Sequence, residues 1–167
     1  MKKTLEAAVQ SGQLQLTPAQ IGQLCQYGAM LLEKNRVMNL TAITEPEAVA
    51  QLHFLDCLAL LQLADFGGKK VIDIGCGAGF PGIPLLIAQP DLDLTLLDST
   101  AKRIGWLREE VLPALGLQAQ CVAARAEEYV SGCRETYAVA VSRAVARLPV
   151  LAELALPFVQ PGGVFLA

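Results

Sequence analysis

The sequence predicts an α/β fold in which a helical N-terminal extension precedes a mainly parallel sheet. Three observations predict it. After residue 67, short apolar runs at 71–74, 92–97, 119–123, 137–141 and 164–166 alternate with helix-like segments, the pattern of right-handed βαβ units. Before residue 66 the apolar residues recur at helical spacing instead. Four glycines, Gly75, Gly77, Gly79 and Gly82, crowd the stretch "GCGAGFPG" directly behind the first apolar run, so something must approach the backbone closely there.

Each element has a local reason. Thr17-Pro18 supplies a helix N-cap and a first-turn proline, and Ile21, Leu24, Cys25, Gly28, Leu31 and Leu32 follow on one face. Thr44-x-x-Glu47 reads as a capping box with Pro46 in the first turn, ahead of an apolar face at Val49, Leu52, Ala59, Leu60 and Leu63. Gly67-Gly68 marks the boundary between an extension over residues 1–66 and a sheet-bearing core over 67–167. Helices are predicted at 82–89, 100–112 and 148–156, with a weaker one at 126–130. The closing "PGGVFLA" reads as a turn and a fifth strand.

Composition narrows the class. At 167 residues with 53% hydrophobic content the chain can bury one core, and its apolar runs are interrupted too often for a membrane span. The start, Met1-Lys2-Lys3-Thr4-Leu5-Glu6, carries an acid and no following apolar run, so no export signal is read. Five scattered cysteines and one histidine make neither a zinc set nor a disulfide framework and fit free thiols in a reducing cytoplasm. A net charge of −3 argues against a uniformly basic surface and leaves room for a local basic patch.

The glycine run is not a Walker loop, since no Gly-Lys-Ser/Thr occurs. Gly77-x-Gly79-x-x-Gly82 matches a dinucleotide pattern but begins two residues late. Asp73 also stands before it, where a pyrophosphate prefers amide dipoles to a carboxylate. An acid there suits a cationic ligand without phosphate, such as S-adenosylmethionine with its sulfonium, ammonium and ribose. Asp98 ends the second strand, "LTLLD", where a carboxylate can accept from ribose hydroxyls or serve as a helix-start acid. "ARAEE" at 124–128 closes the third strand beside the expected adenine position.

The ordered set "NLTAITEPEAVAQLHFLDCLAL", "VIDIGCGAGFPGIPL", "TLLDSTAKRIGWL", "ARAEEY" and "VSRAVARL" closely resembles the ribosomal RNA small subunit methyltransferase G family, also called glucose-inhibited division protein B. The resemblance runs from about residue 27 to the end, and its most specific pieces are Asn39-Leu40-Thr41, His53-x-x-Asp56, Gly79-x-Pro81-Gly82-Ile83-Pro84 and Ser142-Arg143-Ala144. It implies a class I, Rossmann-like S-adenosylmethionine-dependent fold and methylation of guanine N7 in 16S ribosomal RNA, free or in the 30S subunit. It also implies a monomeric cytoplasmic enzyme without metal or membrane, and a family sheet that continues past residue 167. The cofactor positions it implies are Gly75, Phe80, Ala126, Glu127 and Arg143; the residues themselves add Asp73, Gly77, Gly79 and Asp98.

Guanine N7 carries a free lone pair and no proton, so its methylation needs no general base. No Asn/Asp-Pro-Pro-Tyr follows the fourth strand and no Pro-Cys nucleophile appears; "SRAVAR" stands there. Arg143 is expected to clamp a phosphate, meet guanine O6 or orient the cofactor, or else to pair with a neighbouring acid. Asn39 is expected at the pocket or as a helix cap. Phe80 is expected as a core plug or as a lid on the methionine end. His53 and Asp56 share a helical face and are expected to dock the extension or meet substrate. Lys102, Arg103, Arg147 and Arg36 are candidate RNA contacts, or ordinary solvated charges. The competing readings are a nicotinamide-dependent oxidoreductase and a cofactor-binding module without catalysis.

Overall fold

The computed structural model describes residues 1–167 throughout. Five strands, β1 (Lys70–Ile74), β2 (Asp93–Asp98), β3 (Gln120–Ala123), β4 (Tyr137–Val141) and β5 (Val159–Leu166), form one sheet in the order β3-β2-β1-β4-β5. Every pair is parallel. The chain runs outward from β1 through β2 to β3, then returns to β4 on the other side of β1. The carboxyl ends of β1 and β4 therefore flank a topological switch point, where such sheets bind ligands.

Both faces of the sheet are covered, which is why its central strands read as continuous apolar runs. On one face Val71, Leu94, Leu96, Val139 and Val141 join a cluster of 31 buried residues. On the other, Ile72, Ile74, Leu97, Ala140 and Phe158 join a cluster of 7. Alternation along each strand produces this division.

The extension is α1 (Lys2–Gln10), α2 (Pro18–Met38), α3 (Pro46–Val49), a π-helical turn at Ala50–Leu55 and α4 (Asp56–Ala59). Its Leu5, Leu24, Tyr27, Leu31 and Phe54 belong to the same large cluster as the sheet, so the helices from 1–66 share the core of 67–167. Thr17 caps α2 in a full capping box with Gln20, and the Gln20 amide also donates to Ile87 and Ala88 carbonyls at 2.9 and 3.0 Å. One side chain thus starts α2 and ends α5 (Gly82–Ala88). Thr44 forms no capping box: the cap is Glu45, and the Glu47 carboxylate accepts from the N-terminal amine at 3.0 Å.

The remaining helices are α6 (Ala101–Trp106), a π-helical turn at Leu107–Val111, α7 (Leu112–Leu115), α8 (Ala126–Tyr129) and α9 (Leu148–Ala155). The segment expected to end at 112 continues to Leu115, where Gly116 takes the left-handed C-terminal position. β5 is longer than the expected 164–166 because it runs through Pro161-Gly162-Gly163, opposite a register shift in β4.

Candidate cofactor cleft

A cleft of about 170 Å³ opens at the carboxyl ends of the strands, lined by Ile74, Gly75, Leu97, Asp98, Ala126, Glu127 and Val145 among others. The residues from 71 to 82 shape its floor. Gly75 and Cys76 amides donate to the Leu97 carbonyl at 2.7 and 3.0 Å, which ties the turn after β1 to the end of β2. Gly75 has φ +70, and a Cβ there would run into the Val145 side chain. Gly79 has φ +102 and packs against Ile83, the Tyr27 hydroxyl and Leu107, a position closed to any other residue.

Asp98 is 6% exposed. Its carboxylate accepts from the Gly77 amide at 2.9 Å and from the Thr100 amide at 2.7 Å. Two backbone donors fix the group, and a carboxylate with about four acceptor sites keeps capacity for ribose hydroxyls. Asp73 lies elsewhere. It is fully buried and one oxygen accepts from the Gly82 amide at 2.7 Å, while the other has no partner. Burial drives its pKa up to about 7; the Gly82 hydrogen bond and Arg143 pull it back, and Asp98 adds to the rise. Asp73 thus occupies the amino end of α5, where a dinucleotide would place its pyrophosphate. This geometry opposes the oxidoreductase reading.

Arg143 follows β4 but does not line the cleft. Its guanidinium donates to the Leu52 carbonyl at 3.2 Å, to Asp56 at 2.9 Å and to the His53 Nδ1 at 2.5 Å. His53 Nε2 lies 2.8 Å from the Thr41 hydroxyl. Since a guanidinium only donates, His53 accepts at Nδ1 and carries its proton on Nε2. Burial, then the Arg143 charge, lower its pKa to about 4, with Asp56 opposing. Phe80 is 7% exposed and stacks on His53 with ring centroids 4.5 Å apart, beside Tyr27 and Phe54; the Arg143 guanidinium sits 5.2 Å from its centroid. It is a plug between the extension and the glycine turn.

The structure therefore brings Gly75, Asp98, Ala126 and Glu127 to the cleft, while Asp73, Gly77, Gly79, Phe80 and Arg143, also expected at the cofactor, do not line it: they brace the glycine turn and the loop after β4 from behind. Asn39 is an exposed, left-handed C-cap of α2. The side chain working nearby is Asn35, which accepts from Leu40 and Thr41 amides at 2.6 and 2.9 Å and donates to the Thr41 carbonyl. Lys102 and Arg147 are exposed at the starts of α6 and α9, on the same sheet end as the cleft, and neither they nor Arg103 form an ion pair. Arg36 lies apart, in a depression with Trp106 and with Lys34, which pairs with Glu110 at 2.5 Å. Val145, Ser99, Arg125 and Leu154 also line the cleft. Arg125 falls within the stretch 124–128 expected beside the adenine; Val145, Ser99 and Leu154 were not expected, although Ser99 directly adjoins Asp98.

Sheet order, glycine turn and strand-end acid together define a class I, S-adenosylmethionine-dependent methyltransferase. A Methanococcus maripaludis structure provisionally described as such an enzyme superposes with a TM-score of 0.59 at 15% identity, covering 86% of this chain and 63% of that one; it supports the fold alone. The family model for rRNA small subunit methyltransferase G (GidB) matches residues 20–167, and the chain belongs to that family. Proteins named ribosomal RNA small subunit methyltransferase G are similar at 47% identity in Alkaliphilus oremlandii, over 99% of this chain and 71% of that protein. The Clostridium botulinum protein of that name is 42% identical, over 98% and 70%. No helix is long and apolar enough to cross a membrane.

Proposed function

We propose that the chain methylates guanine N7 in 16S ribosomal RNA, using the cleft at the switch point for S-adenosylmethionine. The observation that carries the cofactor placement is Asp98, held by two amides at the end of β2 and facing the cleft beside Gly75. The residues present fit the group: an anchored carboxylate for a ribose, apolar Leu97 and Val145 with Glu127 for an adenosine, and Gly75, where a Cβ would run into Val145 at the cleft. The RNA class follows from family membership and from the names its relatives carry.

S-adenosylmethionine, when bound, would supply an electrophilic sulfonium methyl, and an acceptor such as guanine N7, which has a free lone pair and no proton, would need no general base from the protein. What remains for the protein is positioning, which supplies up to about 7–11 kcal/mol in the best intramolecular systems. Gly75 and Asp98 fix the adenosyl end. Asp73 braces the glycine turn through Gly82, and Tyr27 braces it from the extension, donating to the Ala78 carbonyl at 2.5 Å. Arg143 holds the loop after β4 against α4. Lys102, Arg103 and Arg147 contact phosphates around the cleft, with Arg36 as a more distant RNA contact.

The test is transfer of labelled methyl groups to naked 16S RNA and to 30S particles, with the product mapped by cleavage specific for N7-methylguanine. Label at N7 in either substrate is the expected result. Label confined to an exocyclic amine or a ribose overturns the N7 assignment, and no label in either substrate leaves a cofactor-binding chain without this activity.

A further inference from the structure

Three separate pieces of sequence meet in one network: Thr41 from the loop after α2, His53 from the π-helical turn, and Arg143 from the loop after β4. Thr41 accepts at its hydroxyl from the Ile43 amide at 3.0 Å and from His53 Nε2–H at 2.8 Å. His53 accepts the Arg143 guanidinium at Nδ1. The imidazole also stacks on Phe80, within the glycine turn. Ser142, directly before Arg143, donates to the Ile74 carbonyl at 2.7 Å, so Arg143 projects from a fixed point beside β1. Ala144 next turns left-handed with φ +56, and Val145 then lies against Gly75 at the cleft.

We infer that Thr41, His53 and Arg143 form a hydrogen-bonded relay that holds the β4 side of the cofactor cleft in place, and that His53 is a positioning residue acting as the neutral Nε2–H tautomer. The inference rests on reading the cleft as the cofactor site. The relay has a direction that chemistry enforces. Arg143 cannot accept, so Nδ1 must; the ring proton is then on Nε2, and Thr41 receives it. A second proton, on Nδ1, would set N–H against N–H beside a guanidinium and break the relay. The charged groups bearing on the ring are Arg143 from the loop after β4 and Asp56 from its own helical segment; Thr41 and Phe80 are neutral. The depressed basicity of the ring agrees with this arrangement.

The chain has one histidine, so a ¹⁵N-histidine-labelled sample reports this ring alone. At pH 7 the spectrum is expected to show one protonated and one bare nitrogen, with the proton on Nε2, and a titration midpoint well below 6.5. Arg143→Met, which removes the neighbouring cation, raises that midpoint. In calorimetry with S-adenosylhomocysteine, Thr41→Val and His53→Gln weaken binding about tenfold at pH 7, the scale of one lost positioning hydrogen bond, and Thr41→Ser restores it. An Nδ1–H tautomer, or a ring charged at pH 7, overturns the relay. Folded Thr41→Val and His53→Gln variants with wild-type affinity overturn the positioning role. If His53→Gln does not fold, the near-isosteric Thr41→Val decides alone. A wild-type chain that binds no S-adenosylhomocysteine defeats the cofactor reading itself and the relay's role with it, a result distinct from one confined to the variants.

Discussion

On the β2–β3 flank of the cleft, each group facing the cofactor space is fixed by residues a few positions away or by the adjacent strand. Asp98 is held by Thr100 and Gly77, and Ala126 and Glu127 follow directly on β3. The β4 flank is assembled from Thr41, His53, Asp56, Phe80 and Arg143, which lie up to about a hundred residues apart and touch only after folding. The first flank is set mainly by backbone geometry. The second depends on side chains reaching across two layers, so its integrity depends on the extension being docked. The flanks should therefore fail differently when perturbed.

The largest effect is expected at the floor the two flanks share. Gly79→Val places a β-branched residue at φ +102 and drives its Cβ into Ile83, Tyr27 and Leu107. Backbone strain of about 1–3 kcal/mol and overpacking of a similar size sum to about 2–6 kcal/mol. Thermal unfolding should show a melting temperature lowered by about 10 °C. A variant as stable as wild type would mean that the turn rearranges freely and that the flanks do not share a floor.

Asp98→Ala addresses the β2 flank alone. S-adenosylhomocysteine affinity should fall by about 1.5–3 kcal/mol, the range for hydrogen bonds to a charged group. The chain should stay folded, since Gly77 and Thr100 lie near solvent. Calorimetry reads the affinity and circular dichroism the fold. Wild-type affinity in a folded variant would reduce Asp98 to a brace for its two amides.

How much of this was legible follows the same division. The strands and the glycine turn could be read because short continuous apolar runs and clustered glycines are local signals. Asp98 could be read because a strand end followed by Ser99-Thr100 is local too. Asp73 was legible as an acid that disfavours pyrophosphate, but its partner Gly82, nine residues on, shows it serving the turn. Arg143 was legible as a site-end arginine and as a possible ion-pair partner; only folding brings Asp56 and His53 to it. The π-helical turns at 50–55 and 107–111 left no signal, because a one-residue expansion barely disturbs apolar periodicity over a single turn.

The β4 flank and the strand beneath the glycine turn also carry titratable groups whose pH slopes have opposite sign, half-buried His53 and fully buried Asp73. His53 has a folded pKa of about 4 against 6.5 in the free side chain, so its contribution is present above pH 6.5 and is lost as pH falls toward 4. Asp73 has a folded pKa of about 7 against 3.8; its contribution is present at low pH and is lost as pH rises from about 4 to 7. In wild type the two slopes oppose each other between pH 4 and 6.5. Urea unfolding across that window should separate them. His53→Gln keeps the Asp73 slope and becomes less stable as pH rises, while Asp73→Asn keeps the His53 slope and becomes more stable. Parallel pH profiles for the two variants would show that neither group is perturbed as the geometry requires.

The smallest effects belong to the rim, where neither flank's packing is involved. Lys102 and Arg147 are exposed and Arg103 is half-buried, none in an ion pair, at the amino ends of the helices that follow β2 and β4. A cation that touches an RNA phosphate releases bound counterions, so each contact adds about 0.7–0.9 to the slope of log affinity against log salt. Lys102→Ala, Arg103→Ala and Arg147→Ala should each flatten that slope by about this much while leaving S-adenosylhomocysteine binding unchanged, because that ligand bears no phosphate. The arginine–aspartate pair at Arg143 and Asp56 is the internal control. Asp56→Asn removes a partner of Arg143 without removing a rim cation, so it should alter cofactor affinity and leave the RNA salt slope intact. If instead Asp56→Asn changes the slope as much as Arg147→Ala does, Arg143 released from the extension is itself reaching the RNA. The β4 flank would then be part of the RNA surface as well as a wall of the cofactor cleft.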